Sequence, residues 1–369
     1  MNQLFRWDQM GLFLLALAAG ILPFAVPEVC AAALREGLTL CCGSLLLSLF
    51  PFLVVSRLLI QCPESDLLAL PFRLAAWGIG IRTPCAARVL CIGFLGGFAP
   101  AASAAAQAVR TGQLTAEEAD ALLPACICSG PSFVVLTVGQ SLLGSAELGV
   151  LLFASQITAN YLTAALLNRF AGVRSVKPGS AAPVSPAPPR LDEILADAAI
   201  TYCKLCGFIL FFRMLAAGAG ALLPAGAGTL CSILLEVCSG CDLASRTGRW
   251  GSLLCCAALS VQGLSVLLQV RTICPPEMTL RPLYRSRLLH LPLSLVLFYL
   301  LLPGGEADVF STLPARVLLM RRVPPDCALL VFAVCCMAAC TLRSGIRQVE
   351  QKQMARNAGG CCINSKTLL

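Results

Sequence analysis

Charged residues are scarce in this 369-residue chain: Asp, Glu, Lys and Arg make up 12% of it, about half the share found in an ordinary soluble domain. So few charges cannot cover the surface of a chain this long in water. Histidine is nearly absent, with His290 standing alone, which argues against a Ser-His-Asp triad or a histidine-rich metal site. No G-x-x-x-x-G-K-S/T loop occurs, so an ATP-hydrolysing motor is not expected. These gaps leave no enzyme activity, cofactor or metal to expect.

What the chain has in abundance is apolar length. Hydrophobic residues make up 58% of it and the mean hydropathy is +0.83, in runs of about 20 residues, long enough to cross a hydrocarbon core of about 30 Å. The expectation is an all-α, polytopic membrane helix bundle. The net charge of +8 does not point to nucleic acid, because Lys and Arg lie between and beyond the apolar runs, as the positive-inside rule places them. The 22 cysteines follow no fixed spacing, so a disulfide framework is not expected and Cys reads as a small buried hydrophobe. Cys203-x-x-Cys206 and Cys238-x-x-Cys241 keep a thiol or zinc pair open as a rival, although chance makes such spacing easy here. The first apolar run lacks a small-x-small cleavage site and is taken as a span rather than a signal peptide.

Reading runs between Pro, Gly and charge clusters predicts eight spans, near residues 10–30, 37–60, 117–140, 146–168, 193–223, 250–270, 284–303 and 326–343. Two apolar stretches are interrupted. Residues 85–110 carry Gly93, Gly96, Gly97 and Pro100, and residues 227–245 carry Glu236, Ser239, Gly240 and Asp242. If 85–110 crossed fully, the basic linker with Arg169, Arg174, Lys177 and Arg190 would fall outside, against the rule. As a re-entrant hairpin it leaves that linker inside, with Arg57, Arg73, Arg82 and Arg88. A second hairpin at 227–245 likewise leaves Arg271, Arg281, Arg285, Arg287 and the basic tail inside, at the cost of Arg246 and Arg249 outside.

The halves then carry the same parts in the same order with reversed orientation, an inverted-topology repeat of the kind secondary transporters use. The segments are an N-terminal span (1–36), a first repeat (37–170), a Pro/Ala/Ser-rich cytoplasmic linker (171–190), a second repeat (191–303) and a C-terminal span with a basic tail (304–369). Both termini are cytoplasmic.

Broken backbone within a bilayer is tolerated where protein or a watery cavity satisfies it, so the breaks are where a ligand belongs. Candidate substrate-binding residues are Gly96, Gly97, Pro100, Ser103, Ser129, Gly130, Pro131, Ser239, Gly240, Gln262, Gly263, Ser265 and Gln269. Pro131 removes a backbone donor and frees the carbonyl a turn earlier; the bland alternative is a packing kink. Glu236, flanked by apolar residues, is a candidate for a coupling ion or proton, unless 236–249 is a water-exposed loop. Gln262, Ser265 and Gln269 share one helical stripe, facing either a cavity or a neighbouring helix.

These segments resemble the sporulation integral membrane protein YlbJ family, whose Gate (nucleoside recognition) domains are related to those of concentrative nucleoside transporters and of the ferrous-iron transporter FeoB. The likeness covers most of the chain. It rests on Leu49-Phe50-Pro51-Phe52-Leu53-Val54-Val55-Ser56, the Gly-rich turn with Pro100, Gly112-Gln113-Leu114-Thr115 with Glu117, Glu118 and Ala119, Ser129-Gly130-Pro131, Leu235-Glu236 with Ser239-Gly240, and Gly263-Leu264-Ser265 with Leu268-Gln269. The chain departs from the family's Asn/Thr residues at Cys126, Ile127, Cys128 and Cys238, and from its frequent His at Leu267.

The resemblance implies a role in endospore formation, in a mother-cell or outer forespore membrane, transporting or facilitating passage of dipicolinate, a small polar organic anion, out of the mother cell toward the forespore. A nucleoside-like solute and a non-transporting scaffold for spore envelope assembly are the alternatives. Expected partners are membrane lipid, a small-molecule solute and a second copy or other sporulation membrane proteins, with no nucleic acid.

Overall fold

The computed structural model of the chain describes residues 2–172 and 191–302. The expected span at 326–343, most of the linker and the basic tail lie outside the described residues. Those described form helices α1 to α14, with no strand among them.

Helix α1 (Asn2–Ala25) meets α2 (Pro27–Cys42) at a bend of 110°. Pro27 lacks an N–H and excludes helical geometry from the residue before it, and Val26 accordingly takes φ −139°, ψ 63°. The expected span at 10–30 is therefore divided between two helices. A second break at Gly43 separates α2 from α3 (Ser44–Gln61), dividing the expected span at 37–60 in the same way. The short α4 (Leu70–Gly78) leaves Leu70, Leu74 and Trp77 exposed.

Next comes a helical hairpin. Helices α5 (Pro84–Gly96) and α6 (Phe98–Arg110) fold back on one another about Gly97. Close approach is possible because α6 is rich in alanine: a Cβ on Gly93 would lie 3.2 Å from that of Ala101. Helix α7 (Ala116–Cys126) starts on a reciprocal capping box between Thr115 and Glu118. It stops before Ile127, and the chain resumes at Ser132 as a π-helical segment (Ser132–Leu142). Helix α8 (Ala146–Ala171) then runs unbroken from the Ser145 cap to Gly172, which ends it in the left-handed region at φ +61°.

After the linker, the parts follow in a similar order. Long α9 (Leu191–Leu222) precedes a hairpin of α10 (Ala225–Leu235) and α11 (Val237–Ser245), joined at Glu236. Here Gly240 lets the arms touch, since a Cβ on it would lie 2.8 Å from the Ile233 backbone. Helices α12 (Gly251–Val261) and α13 (Gly263–Ile273) form one path broken at Gln262, with φ +64°. Helix α14 (Arg281–Leu301) closes the described part, after a turn held by Asp120, which accepts from the Thr279 and Leu280 amides at 2.8 and 3.1 Å.

Three paths are long and apolar enough to cross a membrane: Ala146–Ala171, Leu191–Leu222 and Gly248–Ile273; Phe13–Ala25 with Pro27–Cys42 makes a fourth if the bent pair counts as one. At 1.5 Å per residue the 26-residue paths extend about 39 Å. The other described spans expected from sequence are not in that set. Those at 10–30, 37–60 and 117–140 are broken, and the one at 284–303 falls on α14, which carries Arg281, Arg285, Arg287 and His290. The outside of the bundle is apolar: Phe24, Phe170 and Leu288 are 88%, 83% and 78% exposed, which suits lipid better than water. The core is built largely of small residues where α5, α6 and α7 meet.

Candidate functional site

Four interruptions of regular helix meet in the interior. The first hairpin turns at Gly97, whose φ of +81° and ψ of −164° belong to a region that essentially only glycine visits. A Cβ there would lie 2.7 Å from the amide nitrogen of Gly130, so the tip rests directly on the break between α7 and the π-helical segment. The second hairpin turns at Glu236 against the other break: a Cβ on Gly263 would lie 3.0 Å from the Glu236 nitrogen. Each tip thus touches the broken path of its own half.

The two breaks are joined to each other. In a continuous helix the residue at 131 would donate to the Ile127 carbonyl, but proline has no N–H to give. That freed carbonyl accepts from Gln262 Nε2 and from Asn160 Nδ2, both at 3.3 Å. One proline therefore creates the acceptor through which the second half grips the first.

A cavity of about 70 Å³, or about 660 Å³ with the open space at its mouth, lies against these tips. Leu49 and Phe52 of α3, Ile209 of α9 and Val266 of α13 supply apolar wall, while Gly96, Ser129, Gly130, Ser132, Glu236 and Gln269 supply polar groups. Gln269 donates to Ser265 Oγ at 2.9 Å, and its amide oxygen has no partner. Because a serine hydroxyl both donates and accepts, the amide fits either way round and presents one free polar atom in both cases.

Glu236 is 2% exposed and caps α11. Its carboxylate accepts from the Cys238 and Ser239 amides at 2.8 and 2.7 Å and from Ser239 Oγ at 2.9 Å. These bonds satisfy amides that a helix start leaves open. The carboxylate lies at the cavity wall while holding the hairpin in shape.

The sequence-predicted residues therefore divide. Gly96, Ser129, Gly130, Glu236 and Gln269 line the cavity. Gly97, Gly240 and Gly263 serve close backbone contacts, Pro100 packs on Gly96, Pro131 opens the break, Ser239 bonds Glu236, and Gln262 and Ser265 are buried in links to Ile127 and Gln269. Ser103 lies elsewhere, hydrogen-bonded to Arg57. Of the Cys-x-x-Cys pairs, Cys203 and Cys206 lie on α9 and Cys238 and Cys241 on α11, all as free thiols; among the described residues no group of three or more His, Cys, Asp or Glu is placed to hold a metal ion.

Sequence reasoning missed a polar cluster between α8, α12 and α14. Gln156 Nε2 donates to Ser260 Oγ at 2.9 Å, His290 Nε2 lies 3.2 Å from the Gln156 carbonyl, and Arg287 donates to Asn160 Oδ1 at 3.1 Å. Asn160 and Ser260 fall near the middle of the long paths Ala146–Ala171 and Gly248–Ile273. Arg287, expected among the loop cations, is instead 8% exposed on α14, whereas Arg281 and Arg285 are exposed. Its other acceptors are Ser286 Oγ and the Ser260 carbonyl, and no carboxylate pairs with it among the described residues. The detectable signal was spacing: Gln156 and Asn160 are four apart on an apolar helix, and Ser286, His290 and Ser294 repeat at four on α14.

No protein-family model, curated protein or solved structure matches this chain.

Proposed function

We propose that the chain is a secondary transporter or facilitator of a small polar organic anion, with dipicolinate as the first substrate to try. The observation that carries this reading is the meeting of two hairpin tips, Gly97 and Glu236, with two broken paths around one cavity. A scaffold needs neither the breaks nor the cavity. Oppositely entering hairpins that close one site in turn are a recurrent solution to alternating access, and the loop charges support that orientation. On this reading the chain is an eight-span bundle with two re-entrant hairpins, an inverted repeat and both termini in the cytoplasm.

An anion is supported by Arg287, which stands outside the cavity lining; the lining's own carboxylate, Glu236, is already held by three donors. Arg287 is a buried guanidinium with only neutral acceptors among the described residues, and an unpaired charge in such a place costs several kcal/mol. It gives the interior a positive potential that a carboxylate offsets. Backbone amides at the first hairpin tip suit the same ligand, those at the second being taken by Glu236. The endospore setting and dipicolinate itself rest on the likeness to the YlbJ family. Uptake of labelled dipicolinate into vesicles containing the purified chain, with a nucleoside as competitor, tests the reading. Saturable uptake unaffected by the nucleoside is expected; competition would transfer the proposal to a nucleoside-like solute, and no uptake of either by folded protein would remove it.

A further inference from the structure

We infer that a second recess, between α3, α6, α9 and α13 at the end of the bundle where α9 begins, is a binding site for a carboxylate- or phosphate-bearing group. It holds about 150 Å³, or about 600 Å³ with the open space at its mouth, and its polar lining is Arg57, Ser103, Arg110, Asp197, Thr201, Lys204 and Thr272. None of these faces the cavity at the hairpin tips. The site stands whether or not the chain moves a solute.

The lining is almost wholly donor. Arg57, 7% exposed, donates to Asp197 Oδ2 at 2.6 Å, to Thr201 Oγ1 at 3.1 Å and to Ser103 Oγ at 3.3 Å. These bonds use one N–H on each guanidinium nitrogen, and the two terminal nitrogens carry one more each. Ser103, 3% exposed, receives the Arg57 bond, and its own hydroxyl proton has no acceptor among the described residues. Arg110 gives a single long bond of 3.4 Å to the Ile273 carbonyl, and Lys204 has no partner among the described residues.

Charge decides the ligand class. Three cations face one carboxylate in the lining. The C-termini of α6 and α13 lie at the recess and oppose an anion by roughly half a charge each, which still leaves the recess positive. The sole carboxylate is already taken up by Arg57. An incoming anion thus meets more free N–H and O–H donors than acceptors, the acceptors being Asp197 Oδ1 and the last carbonyls of α6 and α13, whereas a cation would meet mainly donors.

The ligand could be a free anion or the headgroup of an acidic lipid, and one pair of measurements separates them. Arg110→Gln with Lys204→Gln removes two exposed cations that hold no structural ion pair, so the variant is expected to fold, as its unfolding midpoint would check. In detergent, the wild-type chain is titrated with inorganic pyrophosphate by calorimetry. In nanodiscs of mixed phosphatidylcholine and phosphatidylglycerol, native mass spectrometry counts the retained lipid. Pyrophosphate binding weakened tenfold or more in the variant assigns a free anion. Preferential phosphatidylglycerol retention that disappears in the variant, without pyrophosphate binding, assigns a headgroup. Wild-type protein that takes up neither probe, or a variant that keeps both unchanged, overturns the site.

Discussion

At the residue scale, two buried charges do different work. Glu236 is saturated with donors, so Glu236→Gln replaces one acceptor by an NH₂ that faces an amide. Loss of an N-cap costs about 0.5–2 kcal/mol, and the unfolding midpoint of the purified variant should fall accordingly. Lost transport in that variant alone therefore does not identify a coupling site; a wild-type dependence on a sodium or proton gradient that vanishes in Glu236→Gln would. Arg287 has the opposite expectation. Arg287→Gln removes an uncompensated buried charge, so stability should hold or rise while dipicolinate uptake falls at least tenfold, and Arg287→Lys should retain part of the flux. A variant that unfolds more easily yet transports normally would make Arg287 a packing residue. Glu236 was legible because a carboxylate within an apolar run is conspicuous. Arg287 was not, because it lies beside Arg281 and Arg285 near the start of its helix and reads as one more loop cation.

At the element scale, the fold depends on where helices stop. Gly97 combines a glycine-only backbone conformation with direct contact on Gly130. Gly97→Ala should cost on the order of 1–3 kcal/mol from the backbone alone and more from the clash, whereas Gly20→Ala, with nothing within 4 Å, should cost nothing comparable; thermal unfolding of the two variants gives the comparison. Two of the breaks were readable from Gly97 and Pro131, since each has a local chemical cause. The second hairpin turns at Glu236, before the Ser239-Gly240 pair that lies inside α11, and the break at Gln262 corrects its expected place on one continuous helical stripe with Ser265 and Gln269. The freed carbonyl at Ile127 follows from Pro131 by the same logic. What it binds does not, because Asn160 and Gln262 reach it across 33 and 135 residues of sequence. The division of the first spans at Val26 and Gly43 was missed although Pro27 and Gly43 mark both points, because apolar residues on either side were joined into single runs.

At the scale of the whole molecule, apolar length marks this as a membrane protein, while among the described residues three or four paths qualify by length and composition where seven of the eight expected spans fall. Those expected at 10–30, 37–60 and 117–140 are divided into shorter helices, the one at 284–303 falls on α14, which carries three arginines, and the one at 326–343 lies outside the described residues. Orientation is a separate matter, resting on loop charge. In a cysteine-stripped background, Ser180→Cys should react with a membrane-impermeant thiol reagent from the cytoplasmic side and Thr247→Cys from the opposite side; the reverse pattern would undo the inverted arrangement. The central claim is that two hairpins and two broken paths enclose a route for an anion. Uptake of labelled dipicolinate into vesicles, compared between the wild-type chain and Arg287→Gln, tests it most directly. The account predicts saturable uptake that collapses in the variant while the protein stays folded; equal flux in both, or none in either, would contradict it.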